Sequence, residues 1–464
     1  MKIIKTLLAM LLALSMAACS STPAPATENE SSEKEEEVAE EETTVQPTTN
    51  EKVTMFPKEA SIEETTIYDQ DGFVIIAKEI DYSGFSPELV LEFQNNTDAE
   101  YTFLAGTMGH CANAINGYMI QGGYINEKVA PGMKSIEEVD FSADTMMLLG
   151  ITEIGEIIMD IEIEDSDYKS VYTGPLSIKT SEYENIDMTP AFATAIQNKS
   201  IIDKVGYKIK YSANDVLFDE YDIKMVTEVL VKNEYDEDKL LLEFNNASGK
   251  DCYVAVENIG INGLTVTSGT WDSNYVFDGK STVMKINLSD IISETEREIF
   301  GLQDYGVISF GVTVYDKDHK ETAVENKLIE ITVGKGGVDT SGDTLYDNND
   351  IVIVSKGLYD DDSEYSDDIH WIMMITNNTD KTITVDEAYD SQVVNGYMAD
   401  SVFMYSQIVE PGKSAMLDMR LNDYGFEDIN ISKKEDIKSI STKLKIRDMN
   451  YKTIDEPQVS LSFE

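Results

Sequence analysis

Phe93-Gln94-Asn95-Asn96-Thr97 opens a set of three short blocks that decides the fold of this chain. The second block is Ile115-Asn116-Gly117-Tyr118, and the third is Val129-Ala130-Pro131-Gly132-Met133-Lys134-Ser135. The same blocks return near the end of the chain as Ile375-Thr376-Asn377-Asn378-Thr379, Val394-Asn395-Gly396-Tyr397 and Val409-Glu410-Pro411-Gly412-Lys413-Ser414. A weaker middle copy reads Phe244-Asn245-Asn246-Ala247-Ser248, Ile261-Asn262-Gly263 and Val276-Phe277-Asp278-Gly279-Lys280-Ser281. From the Asn of each Asn-Gly pair to the Gly of the third block the spacing is 16, 17 and 17 residues, so we expect three copies of one domain.

Apolar residues at every second position precede each Asn-containing turn, which indicates a strand with one buried face. In the first copy these residues are Leu89, Leu91 and Phe93. The same face recurs as Leu240, Leu242 and Phe244, and as Trp371, Met373 and Ile375. Asn favours turns because it bonds its own backbone and tolerates positive φ. A second apolar strand follows each turn, as at residues 101–103 and 382–385, and this pattern predicts a hairpin.

The Asn-Gly pairs at residues 116–117 and 395–396 predict further hairpins, because both residues suit the positive φ of a tight turn. A ligand-binding or catalytic role for these Asn residues is the alternative. Each copy then shows a Pro-Gly or Asp-Gly turn and two closing strands. About seven strands in about 115–120 residues, with turns every 8–12 residues, is typical of an antiparallel β-sandwich. We therefore expect an all-β fold.

The length of 464 residues agrees with about three domains of about 150 residues. We place β-sandwich repeat 1 at residues 65–180, repeat 2 at 205–333 and repeat 3 at 343–464. Residues 334–342 have the composition of a flexible linker. Residues 207–211 alternate polar and apolar side chains and are a candidate extra strand of repeat 2. The sequence does not indicate a role for residues 181–204, nor how the repeats are arranged.

The first 18 residues have the three parts of an export signal. Lys2 and Lys5 are positively charged, residues 7–14 are apolar but too short to span a bilayer, and small residues precede Cys19. This pattern resembles the lipobox of bacterial lipoproteins, with Met16 where Leu is usual. The resemblance implies that the signal is removed and that Cys19 carries a diacylglyceryl group. It also implies a location on the extracellular face of the cell membrane.

Residues 19–64 are expected to form a disordered acidic stalk. Residues 20–64 contain 13 Glu and only three Lys, with much Pro, Ser and Thr. Such a segment buries too little apolar surface to offset the loss of chain entropy. The whole chain has a formal charge of −51, which repels phosphate backbones and excludes nucleic acid as a partner.

The recurring turns and strands over residues 65–464 resemble the Ig-like repeat domains of lipoproteins from Gram-positive bacteria. The middle copy diverges, with Asp278 in place of Pro and Leu264 in place of Tyr. Those families are largely without an assigned activity, so the resemblance implies no catalytic residue.

Known catalytic motifs are missing from the sequence. Neither Gly-x-Ser-x-Gly nor His-Glu-x-x-His occurs, and the Gly-Lys-Ser runs at residues 279–281 and 412–414 lack the first glycine of a phosphate-binding loop. His110, His319 and His370 lie in different parts of their repeats. Cys111 and Cys252 occupy non-equivalent places in two repeats, so we expect two separate thiols rather than a disulfide.

Two local features are candidates for binding. An acidic insertion in repeat 3 makes Asp360, Asp361, Asp362 and Asp367 candidate calcium ligands, since Ca²⁺ prefers oxygen donors. The alternative is a solvated acidic loop, because the ligand spacing is irregular. Trp271 follows Ser-Gly-Thr in an expected loop of repeat 2 and is a candidate contact for a ligand.

We therefore expect a membrane-anchored, non-enzymatic lipoprotein for surface display or for binding a protein or glycan, with no cofactor beyond candidate calcium. Two alternatives remain open. One is an envelope-modifying hydrolase, because two carboxylates suffice for glycoside cleavage. The other is the substrate-capturing subunit of a transporter.

Overall fold

Strands make up most of the computed structural model, which describes residues 56, 59–106, 112–361, 368–399, 402–421 and 431–463. One compact unit contains all of these residues. The helices are short, and the strands pair almost entirely antiparallel. The prediction of an all-β sandwich is therefore confirmed. Cys19, His110 and Cys111 lie outside the described residues.

Repeat 1 contains ten strands and one helix. They are β1 (Thr65–Gln70), β2 (Phe73–Asp81), β3 (Glu88–Asn95), β4 (Tyr101–Ala105), β5 (Asn113–Ile115), β6 (Tyr118–Ile120), β7 (Ile125–Val129), β8 (Lys134–Asp140), α1 (Ala143–Leu148), β9 (Glu156–Glu164) and β10 (Ser170–Lys179). Two further helices follow repeat 1, α2 (Phe192–Ala195) and α3 (Lys199–Lys204).

Repeat 2 also contains ten strands, with two helices before its last pair. They are β11 (Lys208–Ala213), β12 (Phe218–Glu220), β13 (Ile223–Lys232), β14 (Asp238–Asn246), β15 (Cys252–Ile261), β16 (Leu264–Thr265), β17 (Thr270–Val276), β18 (Ser281–Asn287), α4 (Leu288–Ile291), α5 (Glu294–Ile299), β19 (Val307–Asp316) and β20 (Thr322–Thr332). β11 pairs with β13, so the candidate extra strand is confirmed.

Repeat 3 ends the chain. Its strands are β21 (Asp343–Asp347), β22 (Ile351–Asp360), β23 (Ile369–Asn377), β24 (Ile383–Glu387), β25 (Val393–Val394), β26 (Tyr397–Met398), β27 (Val402–Met404), β28 (Gln407–Val409), β29 (Ser414–Leu421), β30 (Ser439–Asp448), β31 (Thr453–Asp455) and β32 (Gln458–Ser462). A 3-10 turn, Lys434–Asp436, precedes β30.

Four sheets contain these strands, and the two middle sheets each include strands from two repeats. The first sheet holds β1, β2, β3 and β8 of repeat 1. The second joins β4–β7, β9 and β10 of repeat 1 to β11–β14 and β18 of repeat 2. The third joins the remaining strands of repeat 2 to β21–β23, β27 and β29 of repeat 3, and the fourth holds the rest of repeat 3. Sheet boundaries and repeat boundaries therefore do not coincide.

The predicted inward faces are buried. Leu89, Leu91 and Phe93 have no exposed surface, and the equivalent residues of the other repeats are also fully buried, namely Leu240, Leu242, Phe244, Trp371, Met373 and Ile375. Removing a side chain of this size from water contributes about 1.5–3 kcal/mol. Burial alternates along β3, whereas β14 and β23 are buried on both faces over most of their length.

The hairpin predicted at each Asn-containing turn is wrong. β3 and β4 lie in different sheets, as do β14 and β15, and β23 and β24. The chain crosses the core there because the first Asn of the turn is buried and bonds to both sides. In repeat 1 this residue is Asn95, whose side-chain amide donates to Ala99 O at 2.7 Å and to Val129 O at 2.8 Å. Asn246 and Asn377 make the same pair of bonds in their repeats.

The hairpins predicted at the Asn-Gly pairs are confirmed. β5 pairs with β6, β15 with β16, and β25 with β26, and the turn Asn has a φ of 54°, 54° and 51° respectively. Each of these Asn side chains also holds the start of a later strand. Asn116 Oδ1 accepts from Gly155 N at 2.8 Å and from Glu156 N at 3.2 Å. Equivalent bonds form at Asn262 and Asn395, so these three residues have structural roles.

Candidate functional site

The acidic insertion of repeat 3 is only partly described, because Asp362 and Asp367 lie outside the described residues. Asp360 ends β22 and accepts a bond from the backbone N of Lys434 at 3.1 Å, while Lys434 Nζ lies 3.0 Å from its other oxygen. Asp361 Oδ2 is 3.7 Å from His370 Nε2. Over the part of the chain that the structure describes, no group of three or more His, Cys, Asp or Glu side chains is arranged to hold a metal ion. The calcium site stays a prediction.

His370 on β23 forms a half-buried pair with a carboxylate. Its Nδ1 lies 2.8 Å from Asp418 Oδ1 on the neighbouring β29. Burial disfavours the charged imidazole, but the bond to Asp418 and its negative charge outweigh burial and raise the pKa of His370. The pair joins two adjacent strands, and this contact gives it a structural role.

Trp271 belongs to β17, which pairs with β15, rather than to the expected loop. The expectation of a loop is therefore wrong, whereas its role as a ligand contact stays a prediction. Cys252 is the first residue of β15, buried and unpaired. Burial, together with the charges of Asp251 and Asp278, raises the pKa of its thiol to about 12, so it is unreactive at neutral pH.

Two buried carboxyl groups have strongly raised pKa values. Burial, opposed by Lys317 and reinforced by Asp251, raises the pKa of Asp160 on β9 to about 6. Burial and the charge of Asp215 raise the pKa of Glu228 on β13 to about 7. A raised carboxyl pKa suits proton transfer near neutral pH, but these two groups belong to strands of different repeats.

Polar contacts join each repeat to the next. At the first junction, β6 of repeat 1 pairs in parallel with β18 of repeat 2. Ser281 N donates to Gly117 O at 2.8 Å. The Lys280 ammonium donates to Asn116 O at 2.9 Å and lies 3.2 Å from Glu156 Oε2. The Asn-Gly hairpin of one repeat is thus bound to the Gly-Lys-Ser turn of the next.

Tyr118 connects three elements at the first junction. Its hydroxyl donates to Glu243 Oε1 at 2.7 Å and accepts from the backbone N of Phe192 at 2.8 Å. Thr227 donates to the second oxygen of Glu243 at 2.6 Å. Burial and the nearby carboxylate raise the pKa of Tyr118, so its hydroxyl remains protonated. The network fixes β6 against the outer face of β14.

The second junction repeats this arrangement with different side chains. β16 of repeat 2 pairs in parallel with β29 of repeat 3, and Ser414 N donates to Gly263 O at 3.1 Å. Lys413 Nζ lies 2.6 Å from Glu330 Oε1. Leu264 replaces Tyr118, and Met374 replaces Glu243 at the same register position of its strand. An apolar contact has therefore taken the place of a polar one.

Short helices cover the outer sheet face at the first junction. Phe192, Ile196 and Ile202 belong to the same buried cluster as Val229 and Leu241 on the outer side of repeat 2. The segment 181–204, for which the sequence indicates no role, therefore packs against repeat 2 as well as repeat 1. At the second junction, Phe300 and Leu302 share a cluster with Ile372, Met374 and Met416.

The sequence motifs did not reveal these junctions. The Gly-Lys-Ser runs and the Asn-Gly pairs were visible as turns, but nothing in one sequence shows that the turn of one repeat contacts that of the next. The sequence signal for the junctions is the recurrence of Lys directly after the turn Gly in copies two and three, where a turn alone does not require Lys.

Comparison with protein-family models found no match, and no curated protein matches the chain. Among solved structures, a protein of unknown function from Porphyromonas gingivalis W83 is 12% identical, with a TM-score of 0.14 over 49% of this chain and 92% of the other. The BSP domain of a biofilm-associated protein is 10% identical, with a TM-score of 0.12 over 89% of this chain and 67% of the other. An exo-chitosanase from Amycolatopsis orientalis is 7% identical, with a TM-score of 0.17 over 51% of this chain and 26% of the other. These values identify neither a family nor a function. Among the described residues no helix is long and apolar enough to cross a membrane.

Proposed function

We propose that this chain is a lipoprotein on the extracellular face of the cell membrane, anchored through Cys19. It displays three joined β-sandwich repeats and binds a partner without catalysing a reaction. One observation carries the proposal. The polar residues that recur in all three copies are used in turns and in holding strands together, as Asn95, Asn116 and their equivalents illustrate. Selection for a scaffold explains this recurrence, whereas catalysis requires reactive groups that converge.

The anchor is tested by changing Cys19 to Ala in producing cells. We expect the wild-type protein in the membrane fraction, labelled by a radioactive fatty acid, and the variant unlabelled and either secreted or unprocessed. Ser20→Ala serves as the matched control and is expected to remain labelled. A wild-type mature N-terminus at any residue other than Cys19, without lipid, contradicts the proposal.

The ligand class is tested with glycan and peptide arrays probed with the purified protein. Trp271 is the proposed contact because aromatic rings stack on sugars and on peptide side chains. We expect a signal that is lost in Trp271→Ala and largely kept in Trp271→Phe, which retains an aromatic ring. Reproducible turnover of any envelope polymer on these arrays would instead favour the hydrolase alternative.

A further inference from the structure

We propose that copies of this chain associate head to tail, with the Asn-Gly hairpin of repeat 3 bound to strand β8 in repeat 1 of the next copy. We refer to residues 393–398 as the terminal hairpin and to residues 132–136 as the receiving strand. This inference concerns a partner surface and does not depend on the membrane anchor or on a ligand of repeat 2.

The two internal junctions supply the template. In both, a residue next to the Asn-Gly pair lies beside the first residues of a strand in the following repeat, through the pairs Tyr118–Ser281 and Leu264–Ser414. The chain thus makes the same contact twice. The terminal hairpin and the receiving strand are the third members of these two sets. Among the described residues neither makes a junction contact of this kind, since β26 pairs with β25 and β8 pairs with β3.

The terminal hairpin exposes apolar surface that the internal hairpins bury. Tyr397 is 58% exposed and Met398 is 60% exposed, whereas the equivalent Tyr118 and Met119 are 2% and 8% exposed. Adjacent exposed apolar side chains at a strand edge are typical of an interaction surface.

The receiving strand shows the complementary feature. Backbone bonds to Asn95, Asn246 and Asn377 identify Met133 as the structural counterpart of Lys280 and Lys413. Met133 is 60% exposed and Ile136 is 59% exposed, although Met416, the counterpart of Ile136 at the second junction, is almost fully buried. The receiving strand of repeat 1 and the terminal hairpin of repeat 3 therefore both present apolar residues at positions that a neighbouring repeat covers at the internal junctions.

The polar pairing of the first junction can also be reproduced between copies. Register along β3 and β14 makes Glu92 the counterpart of Glu243, since Glu92 lies opposite Ile136, the third residue of β8, and Glu243 lies opposite Val283, the third residue of β18. Tyr397 is the counterpart of Tyr118. Docking in the template geometry places the Tyr397 hydroxyl beside the Glu92 carboxylate, which Lys134 already contacts at 3.0 Å.

The terminal hairpin side and the receiving strand also match in that both lack the charged residues that pair at the internal junctions. The internal lysines contact Glu156 and Glu330. In repeat 3 the corresponding positions hold Ser439 and Ser460, as strand register shows. Met133 in place of lysine therefore meets no carboxylate at either position, and docking would not bury an unpaired charge.

A second copy is the occupant that fits, because every chain carries one terminal hairpin and one receiving strand. An interface between two different patches of identical chains is heterologous, so it continues from copy to copy until a ring closes. Partners of other kinds would not need both ends to match the internal template.

The test uses the full chain in producing cells, in whichever fraction contains it, with Ser135→Cys and Met398→Cys in separate, co-expressed variants. The pair Thr265–Ala415 at the second junction is their template, and adjacent strands lie about 4.8 Å apart, within disulfide reach. After oxidation we expect a disulfide-linked dimer only when both variants are present. A chain with both changes is expected to give a ladder of oligomers on a non-reducing gel.

Adding Tyr397→Asp to the Met398→Cys variant should lower the yield of the mixed dimer about tenfold, because a carboxylate then lies beside Glu92 in place of a hydroxyl donor. Tyr168→Asp is the matched control, since Tyr168 is also exposed but lies on the turn between β9 and β10. The proposal is overturned if the mixed dimer does not exceed the wild-type background. Equal dimer yield from either single variant alone would overturn it too, because that result indicates symmetric contact.

Discussion

The Tyr118 hydroxyl donates a 2.7 Å hydrogen bond to the Glu243 carboxylate, although the two residues belong to different repeats and are 125 positions apart. Both side chains are buried, so water cannot replace either partner. A buried polar group that loses its partner retains the full cost of desolvation. The stability of repeats 1 and 2 is therefore coupled through this one bond and its neighbours.

Tyr118→Phe tests that coupling. The variant keeps the ring but removes the donor to Glu243 and the acceptor for Phe192 N. We expect the free energy of unfolding to fall by about 1–3 kcal/mol, measured by urea denaturation. Tyr168→Phe, at an exposed tyrosine, is expected to change it by less than about 0.5 kcal/mol. Equal effects in the two variants would show that the junction bond contributes nothing.

Because the pKa of the Glu228 carboxyl group is raised, we expect the free energy of unfolding to depend on pH. Its pKa is about 7 in the folded chain against an ordinary value of 4.5, so the folded state holds the proton more tightly than the unfolded state. Its contribution to the free energy of unfolding is therefore full below about pH 4.5 and is lost as the pH rises towards about 7. The loss is on the order of 3 kcal/mol at most.

We expect Glu228→Gln to remove much of the decrease in stability between pH 5 and pH 8, measured by urea denaturation at both pH values. The exposed Glu298→Gln is the matched control and is expected to leave the decrease unchanged. A decrease of the same size in Glu228→Gln and in the wild type would contradict the assignment to Glu228.

Residues 343–464 allow a test of repeat 3 alone. The sequence predicts that this fragment folds, with a β-type circular dichroism spectrum. Without repeat 2, however, the buried outer-face residues Ile372, Met374 and Met416 become exposed, so we expect the fragment to self-associate.

Met374→Glu in this fragment introduces the residue type found at the equivalent position of repeat 1, Glu92, and should restore a monomer in light scattering. Met373→Glu, one position away on the inner face, should instead unfold the fragment, since an unpaired carboxylate in a core costs several kcal/mol. Unfolding by both substitutions would contradict the assignment of the two faces.

Calcium titration by calorimetry tests the acidic insertion, with Asp360, Asp361 and Asp362 changed to Asn in one variant. Because Asp360 already contacts Lys434, we expect equal heats from the wild type and the variant. Magnesium titration is the control for non-specific ion effects. Binding heat that is present in the wild type with calcium and lost in the variant would establish the site.

Local patterns in the sequence predicted the strands but not their partners. Burial of Leu89, Leu91 and Phe93 followed from their spacing, and the positive φ of Asn116 and Asn395 followed from Asn-Gly chemistry. The turn at Asn95 was misassigned because a hairpin and a crossing between sheets use the same residue types. What distinguishes them is the bond from Asn95 to Val129 O, which joins residues 34 positions apart.

The contacts at the junctions join residues that are even farther apart in the sequence. The role of Tyr118 arises from Glu243, and that of Lys280 from Glu156, so neither can be recognised within its own repeat. Likewise, the helices in 181–204 are too short to show helical periodicity, and they form because Phe192 and Ile202 are buried against neighbouring sheets.

The difference between the two junctions makes the order of the repeats specific. Tyr118 bonds to the Glu243 carboxylate at the first junction. At the second junction Leu264 replaces Tyr118, and Met374 replaces Glu243. If repeat 2 were deleted and repeat 1 were joined directly to repeat 3, the buried Tyr118 hydroxyl would face Met374 and lose its acceptor. Repeats descended from one ancestor can thus stop being interchangeable, and recombination among them would produce shortened chains that fold poorly.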